Sequence, residues 1–205
     1  MVDAHSARLP AVVTRSNRQG GAKVGRLATM SIRRVVTGVN AEGTSVFVSD
    51  ERVPAVAPAF MPELEFHQLW GQDDPPVAPQ DGTAPPTHAF FPPAGGYRVG
   101  TFTVPPASTP PVEGIDLQAA LAELEAALPG LYDHNEPDNP GMHTTVTIDV
   151  EYVVSGRVVL ELDDGASVEL GPGDTVVQNG TRHAWRNPFD ETATLVVVLI
   201  GATPA

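Results

Sequence analysis

Cysteine is absent from the 205 residues of this chain. Its absence excludes a disulfide framework, a thiol nucleophile and a thiolate zinc site, and it is typical of a cytoplasmic protein. No apolar run approaches the roughly 18 residues of a membrane-spanning helix, so we expect no membrane partner. Aromatic residues make up only 6% of the chain, whereas proline and glycine number 21 and 19. With many Val/Thr runs and few helical patterns, this composition favours an all-β fold rich in turns.

Basic residues are scarce beyond position 34. Residues 1–34 hold seven of the twelve Lys and Arg side chains and one acid, Asp3, so the other 171 residues carry 5 basic and 24 acidic side chains, a net charge of −19. A body of this charge repels phosphate groups and argues against a nucleic-acid partner. The basic N-terminal segment has three interpretations. It is a transit-like arm or one that contacts nucleic acid, a disordered extension of residues 1–30, or a stretch that precedes a true start at Met30. We predict the extension.

We expect residues 31–205 to form a single domain. Residues 31–110 supply short outer strands and proline-rich loops, and the strand candidates are SIRRVVTGV, TSVFVS, LEFHQLW and YRVGTFTVP. Each candidate shows partial alternation or β-branched enrichment. The loop at 73–86 is too rich in proline to pair in a ladder. This loop is either a lid or partner contact, or an exposed segment without a role.

One amphipathic helix is predicted within residues 114–130. Asp116 can cap its N-terminus, and Pro129–Gly130 ends it. The apolar stripe at i, i+4, i+7 and i+11 consists of Leu117, Leu121, Leu124 and Leu128. We expect this stripe to pack on the outside of the sheet or on a second copy of the chain.

Residues 141–201 alternate short strands with turn signals. From His143 the chain reads HTTVTIDVEYVVSGRVVLELDDGASVELGPGDTVVQNGTRHAWRN. Two turn-bounded hairpins are expected here, with turns at Ser155–Gly156, Asp164–Gly165, Gly171–Asp174 and Asn179–Gly180. Strands of this length and spacing indicate a jelly roll or a small barrel.

Four positions of this segment, 143, 145, 147 and 149, share parity and so lie on one face of a regular strand. If that face is inward, a pocket forms that is lined by His143, Thr145, Thr147 and Asp149, with His183 and Trp185 facing it from a later strand. Two neutral imidazoles and one carboxylate suit Fe(II), Mn(II), Zn(II) or Ni(II) and leave coordination positions open. Threonine is a poor ligand for these ions.

Each of these side chains also has a purely structural interpretation. His183 can be a hydrogen-bonded core histidine, and His143 a residue of the rim. Asp149 needs a partner, because burying a carboxylate alone is costly, and that partner is a metal ion, a histidine or Arg157. Trp185 is either core packing or a wall against which a planar ligand stacks.

Glu151 shares the parity of Asp149. If both face inward, one of the two pKa values rises and the pair can serve proton transfer. The alternative, which we favour, is a bulge that turns Glu151 to a different environment. In the connector, His134 and Glu136 either form a lid over the mouth or are solvated loop residues. Asn187 is expected to satisfy backbone groups at a turn.

The stretch Gly173–Asn187 resembles the second motif of the cupin family, which reads G-D, a short strand, then P-x-G-x-x-H-x-x-x-N. His183 occupies the histidine of this motif, and Gln178 stands where proline is usual. The family's first motif reads H-x-H, three or four residues, E, six residues, G. Here His143 fits the first histidine, whereas the second histidine and the glutamate are replaced by Thr145 and Asp149. The chain is similar to single-domain bacterial cupins whose motifs read MHxTxTxDY and VVQRGTxHAWRN.

This resemblance implies an all-β fold, a cupin-type jelly-roll barrel (double-stranded β-helix), with one amphipathic helix and an irregular N-terminal arm. The motif-bearing core is 141–201. The implied metal ligands are His143, Asp149 and His183, for one weakly held divalent ion of Fe, Mn, Zn or Ni. The candidate catalytic carboxyls are Asp149 and Glu151. The candidate substrate-binding residues are Thr145, Thr147, Gln178 and Trp185. The resemblance also implies a homodimer formed through edge strands or an N-terminal extension.

Two functions remain open from the sequence. The first is a metal-dependent enzyme acting on a small organic molecule, such as a phenolic or polyketide-like acid, by isomerisation, dehydration, decarboxylation or dioxygen-dependent oxidation. The second is a non-catalytic barrel that binds or senses a small apolar ligand, which the missing second histidine favours. A storage or purely structural dimer is a third and weaker interpretation.

Overall fold

The computed structural model describes residues 31–205, so the expectation for residues 1–30 lies outside the described part of the chain. The described residues form ten β-strands, one α-helix and a short 3₁₀ turn. In chain order these are β1 Ile32–Val39, β2 Ser45–Val53, β3 Phe66–Gln72, β4 Tyr97–Val104, α1 Leu117–Ala127, β5 Thr147–Ser155, β6 Val158–Glu161, the 3₁₀ turn Asp163–Gly165, β7 Ser167–Leu170, β8 Thr175–Asn179, β9 Ala184–Arg186 and β10 Ala193–Gly201. The prediction of an all-β fold with one helix is confirmed.

All strand pairs are antiparallel, and they form three sheets. Strands β1 and β2 form a hairpin, the order β3-β4-β10-β5-β8 makes a five-stranded sheet, and β7-β6-β9 makes a three-stranded sheet. Strands β5 and β6 are consecutive in the chain but lie in different sheets. The turn at Gly156 therefore carries the chain across the barrel and does not close one of the two predicted hairpins. Only glycine fits there, because φ is +72° and a Cβ atom would lie 2.7 Å from the Cα atom of Ala193.

The inward face of the five-stranded sheet has an apolar end and a polar end. Strand β5 shows both, since its buried positions are Thr147, Asp149 and Glu151 followed by Val153. At the apolar end the two larger sheets share one core cluster, which consists of Val153, Val158, Leu160, Leu170, Ala193 and Leu195. Fully burying a side chain such as Leu195 contributes about 2 kcal/mol of transfer free energy. The apolar end holds the sheets together, and the polar end is left for a site.

The helix uses only part of its predicted apolar stripe. Asp116 caps α1 as expected, because its Oδ1 accepts a hydrogen bond from the backbone N–H of Ala119 at 3.0 Å. Leu124 and Leu128 are buried, whereas Leu117 and Leu121 are 51% and 39% exposed. The C-terminal half is therefore the anchored half. Within the described range, no helix has the length and apolar character that crossing a bilayer requires.

The 73–86 loop bridges the β1–β2 hairpin and β3. The backbone N–H of Val39 donates to the carbonyl of Gln80 at 2.9 Å, and the Gln80 amide donates to Gln72 Oε1 at 3.2 Å. On β1, Arg34 donates to the carbonyl of Leu69 at 2.9 Å. The loop and hairpin thus cover the outer face of the sheet at its β3 edge.

Candidate functional site

His143 and His183 lie side by side at the polar end of the barrel. Their backbones exchange two hydrogen bonds of 2.9 Å, and their ring centroids are 4.2 Å apart. His143 precedes β5, and His183 lies between β8 and β9, so residues 40 positions apart in sequence are brought together by an isolated bridge. His183 is 2% exposed and His143 is half-buried, so His143 is not simply a residue of the exposed rim.

Both imidazoles present the same nitrogen to the site. His143 Nδ1 lies 3.0 Å from the carbonyl oxygen of Gly141, and His183 Nδ1 lies 2.8 Å from that of Thr181. A carbonyl only accepts, so each Nδ1 carries the hydrogen and each Nε2 keeps its lone pair. Burial lowers the pKa of both rings, and His143 beside it helps to bring the pKa of His183 to about 4. Both rings are therefore neutral at pH 7.

Two carboxyls share the same inward face. Asp149 and Glu151 are 3% and 4% exposed, and Glu151 accepts hydrogen bonds from the Gln178 amide, the shorter at 3.2 Å, and from the indole of Trp185. Burial raises the pKa of both carboxyls, and the Asp149 charge adds to the rise that brings Glu151 to about 8. Glu151 is protonated at neutral pH.

The expectation that a bulge turns Glu151 away is wrong. The ladder is regular through this position, where Glu151 is opposite Val197 of β10 and Val176 of β8. The register shift of this strand pair lies at Thr194/Leu195, beyond the carboxyls. Because parity is preserved from 147 to 151, both carboxyls point inward.

Asp149 keeps one oxygen without a partner. Its carboxyl is hydrogen-bonded by Thr147, but Oδ1 is a buried acceptor with no hydrogen-bond partner among the described residues. Arg157, one of the three expected partners, is engaged elsewhere. Arg157 pairs with Glu169 at 3.2 Å and its guanidinium lies 3.9 Å from the centroid of the Phe189 ring. An unsatisfied buried acceptor costs about 1–3 kcal/mol, and a bound cation or donor would remove this cost.

The donors fit a divalent ion in type, but they do not form a complete ligand group. Two imidazole Nε2 lone pairs and the orphaned Asp149 oxygen are ligands that such ions accept. Within residues 31–205, however, no three or more His, Asp and Glu side chains are grouped so as to hold one ion. The position of the second histidine in the motif holds Thr145, whose hydroxyl is 2.7 Å from that of Thr147. Of these candidate ligands, the two imidazoles are in contact, with ring centroids 4.2 Å apart.

A cavity of about 160 Å³ is lined by residues of β3, β4 and β10, together with Arg34 and the 84–90 segment. Two of its lining residues, Val197 and Leu199 on β10, are the cross-strand neighbours of Glu151 and Asp149. Aromatic rings line its far side, where Phe66 meets Phe90 edge to face with centroids 5.8 Å apart. This chamber was not predicted from the sequence. The signal was the alternation of YRVGTFTVP, which places Gly100 and Phe102 on the inward face.

Two arginine side chains hold the connector before His143 in place through ion pairs and a hydrogen bond. Arg182 bridges Glu136, at 2.6 Å, and Asp163, at 2.8 Å. Arg186 reaches the carbonyl of Pro140 at 2.6 Å. A cleft of about 430 Å³ is lined by His134, Thr147 and residues of the 88–93 segment, and the His134 ring meets Phe91 edge to face with centroids 5.0 Å apart. The two interpretations of His134 and Glu136, a lid or solvated loop residues, both stay predictions.

Three further polar side chains have partners in the structure. His67 is buried among the residues that line the cavity, and its Nδ1 lies 3.1 Å from Thr101 Oγ1. The prediction for Asn187 is confirmed, since its amide donates to the carbonyls of Val104 and Glu191 at 2.8 Å and its Oδ1 accepts from Phe189 N–H at 3.0 Å. Trp185 packs against the core cluster, 6.2 Å from Phe102 between ring centroids.

Comparison with known proteins identifies the part of the chain that carries this site. Residues 136–199 match the family model of the cupin domain. A 56-residue stretch is 41% identical to oryzines biosynthesis cluster protein J of Aspergillus oryzae and covers 27% of this chain and 31% of that protein. A 46-residue stretch is 50% identical to phomopsin biosynthesis cluster protein C′ of Diaporthe leptostromiformis and covers 22% and 24% of the two chains. The matches thus span less than a third of these relatives.

A solved cupin structure is also similar in shape, although distantly. The Cupin 2 conserved barrel domain protein of Salinispora arenicola is 19% identical, with 68% of this chain and 76% of that chain covered at a TM-score of 0.35. The stretch matched by the family model contains His143, Asp149, Glu151, Gln178 and His183. The predicted all-β fold with one helix is confirmed, and residues 136–199 match the cupin domain.

Proposed function

We propose that the barrel binds one small organic molecule at its polar end and transfers a proton on it. The observation that carries this proposal is the pairing of two buried carboxyls, Asp149 and Glu151, with two neutral imidazoles beside an apolar chamber. Glu151 holds a proton at neutral pH and can act as a general acid. The orphaned oxygen of Asp149 can accept a proton or a hydrogen bond from the bound molecule. Gln178 and Trp185 hold the Glu151 carboxyl in place.

A divalent ion is part of this proposal as a weakly held cofactor. His143 and His183 would hold the ion through Nε2, with Asp149 as the third donor. When bound, such an ion supplies Lewis-acid polarisation of a substrate oxygen. The chain's own residues contribute orientation and proton transfer. Isomerisation, dehydration and decarboxylation each need a positioned acid and base, and dioxygen-dependent oxidation would in addition need a redox-active ion.

The apolar chamber indicates the class of molecule. A ligand whose polar group meets Asp149 and Glu151 extends its body past Val197 and Leu199 towards Phe66 and Phe90. Aromatic or polyketide-like acids have this division into a polar head and an apolar body. The two curated relatives carry names of biosynthesis clusters, for oryzines and phomopsin, which supports a substrate from secondary metabolism.

Metal content tests the cofactor. We expect protein purified without a chelator or a nickel column to bind about one equivalent of Mn²⁺, Zn²⁺ or Ni²⁺ in calorimetric titration. His183→Ala should weaken this binding at least about 10-fold, because one imidazole donor is lost. His88→Ala is the control, since His88 is exposed and pairs with Asp73 outside the site. Equal loss of binding in both variants, or none in either, would contradict a site at the paired histidines.

The chamber is tested by filling it. Val197→Phe places a larger side chain beside Glu151, so we expect the affinity for benzoic and cinnamic acids to fall at least about 10-fold. The matched control is Val168→Phe, because Val168 is 50% exposed on the other sheet. Binding by equilibrium dialysis would be measured at pH 7 for the unsubstituted protein and both variants. An affinity unchanged by Val197→Phe would place the ligand's apolar body elsewhere.

A second candidate is a non-catalytic barrel that binds or senses the same class of molecule. The observation that favours it is that the described residues include no group of three metal-holding side chains. The two functions differ in one respect. If the barrel only binds, neither chelation nor the Glu151→Gln substitution changes the affinity for benzoic or cinnamic acid. In that case the protein also turns over neither acid. Turnover that is lost in Glu151→Gln while binding is retained identifies the enzyme.

A further inference from the structure

Two neighbouring phenylalanine rings lie between the chamber and the cleft. Phe90 lines the chamber, and Phe91 lines the cleft. The two rings meet edge to face with their centroids 5.0 Å apart, which is the distance of direct ring contact. On the cleft side the ring of His134 packs against Phe91, also with centroids 5.0 Å apart. The chamber and the cleft therefore approach each other to within the thickness of two rings.

An arginine crosses the same boundary. Arg98 lines the chamber, whereas its partners Asp73 and Ala89 line the cleft. Its Nη2 pairs with the Asp73 carboxylate, and its Nε and Nη2 donate to the carbonyl of Ala89 at 3.1 and 2.9 Å. Its Nη1 donates to the carbonyls of Gln72 and Tyr97, both at 3.0 Å. Each guanidinium nitrogen thus has a partner. We call the two rings, Phe90 and Phe91, together with the Arg98–Asp73 pair the partition.

The segment that carries the partition is fixed at both ends. The backbone N–H of Phe90 donates to the carbonyl of Pro129, just beyond α1, at 2.7 Å. The backbone N–H of Gly95 donates to the carbonyl of Gly201, at the end of β10, at 3.0 Å. Segments that open easily have few such contacts. The partition is therefore a fixed wall and not a lid.

The volumes on the two sides differ, and the smaller one matches a single ring. An apolar cavity of about 150 Å³ holds one benzene molecule, whereas pockets for drug-sized ligands measure about 300–1,000 Å³. The chamber has a volume of about 160 Å³, and the cleft has a volume of about 430 Å³. The chamber alone therefore has room for one aromatic ring. A second ring in line with the first would need the space that the partition occupies.

We propose that the partition determines ligand specificity by limiting the apolar body of the ligand to one aromatic ring. This inference rests on the proposed function, in which the chamber receives that body. Phe90 and Phe91 would exclude a longer acid by steric clash, since the contacts of the segment prevent them from moving aside. Without the two rings the chamber and the cleft would join. A second ligand ring could then be buried there, which favours binding.

The test compares benzoic acid with biphenyl-4-carboxylic acid, which has one ring more. Both dissociation constants would be measured for the full chain by equilibrium dialysis at pH 7. We expect the unsubstituted protein to bind benzoic acid at least about 10-fold more tightly. In the double variant Phe90→Ala/Phe91→Ala, we expect the ratio of the two constants to shift towards the longer acid at least about 10-fold. The matched control is Phe189→Ala, because the Phe189 ring contacts the Arg157 guanidinium and lines neither cavity.

The outcomes separate the partition from the proposed function. If benzoic acid binds and the double variant keeps the ratio of the unsubstituted protein, the partition is overturned and the proposed function stands. If the unsubstituted protein binds both acids equally, the partition is overturned as well. If neither acid binds to any of the proteins, the proposed function is overturned together with the partition. Circular dichroism shows whether the variants fold. Phe91→Ala alone removes a half-buried ring and should shift the ratio in the same direction if the double variant is unfolded.

Discussion

Replacing Glu151 by glutamine makes the folded protein more stable at alkaline pH, by on the order of 4 kcal/mol at about pH 9. The carboxyl is 4% exposed, and burial together with the Asp149 charge raises its pKa from 4.5 to about 8. Ionising this group inside the barrel is therefore costly. Glutamine has the same shape, cannot ionise, and keeps an oxygen that accepts from the Gln178 amide.

The sign follows from the number of protons bound in each state. Between pH 4.5 and about 8 the folded protein holds the Glu151 proton and the unfolded chain has lost it. Stability from this group is complete below pH 4.5 and is lost as the pH rises through 8. Above that pH the unsubstituted protein carries a buried carboxylate and the variant does not. At about pH 4 the two proteins should differ little.

Urea unfolding at several pH values measures this difference. The control is Glu123→Gln on the exposed face of α1, which removes an ionisable carboxyl without removing a buried one. We expect the free energy of unfolding of the control to follow the unsubstituted protein at every pH. Parallel curves for Glu151→Gln and the unsubstituted protein from pH 6 to 9 would mean that Glu151 is not a buried acid. An ion bound beside Asp149 would reduce the gain, so the measurement is made in the presence of a chelator.

Gly201→Ala should abolish folding or reduce the free energy of unfolding by at least about 3 kcal/mol. Gly201 ends β10, and a Cβ atom there would overlap the carbonyl group of Pro93. Two backbone hydrogen bonds hold the segments at this distance, from Gly201 N–H to Gly96 at 2.9 Å and from Gly95 N–H to Gly201 at 3.0 Å. Since both sides of the contact are backbone, neither can rotate away.

Gly171→Ala is the matched control for this substitution. Gly171 has no heavy atom within 4 Å of a Cβ position, and its φ is not in the left-handed region, so alanine should change stability by less than about 0.5 kcal/mol. Thermal unfolding followed by circular dichroism distinguishes the two variants. A Gly201→Ala protein as stable as the control would show that the 92–96 segment does not rest on the end of β10. The same contact lies next to the candidate site, because Pro93 lines the cleft that reaches Thr147.

The strands of this protein follow from local pattern. SIRRVVTGV, LEFHQLW and YRVGTFTVP are strands β1, β3 and β4 with end positions shifted by at most two residues. Turn residues with positive φ, such as Gly156, Gly165 and Gly180, lie at the turns that the sequence predicts. The helix cap at Asp116 is equally local. These features depend on residues close in the chain, so pattern alone was sufficient.

The pairing of the strands and the burial of individual side chains could not be predicted from sequence pattern and required the tertiary structure. A turn at Gly156 looks the same in sequence whether it closes a hairpin or crosses between sheets. The expected bulge at Glu151 rested on the cost of two buried carboxyls, a cost that the fold accepts by protonating Glu151. Likewise Leu117 and Leu121 fit the helix stripe but stay exposed, because only the C-terminal half of α1 has something to pack against.

The sequence by itself determined the all-β class, the cupin motifs and the inward parity of Thr147 and Asp149, because strand periodicity and turn chemistry are short-range properties. Only the tertiary structure decided that His143 contacts His183, that the chamber residues Val197 and Leu199 are cross-strand neighbours of the carboxyls, and that among residues 31–205 the outer sheet face is exposed. Those facts depend on which strands become neighbours. Which strands pair is determined by burial of the core that the sheets share, and no short stretch of sequence contains all the residues of this core.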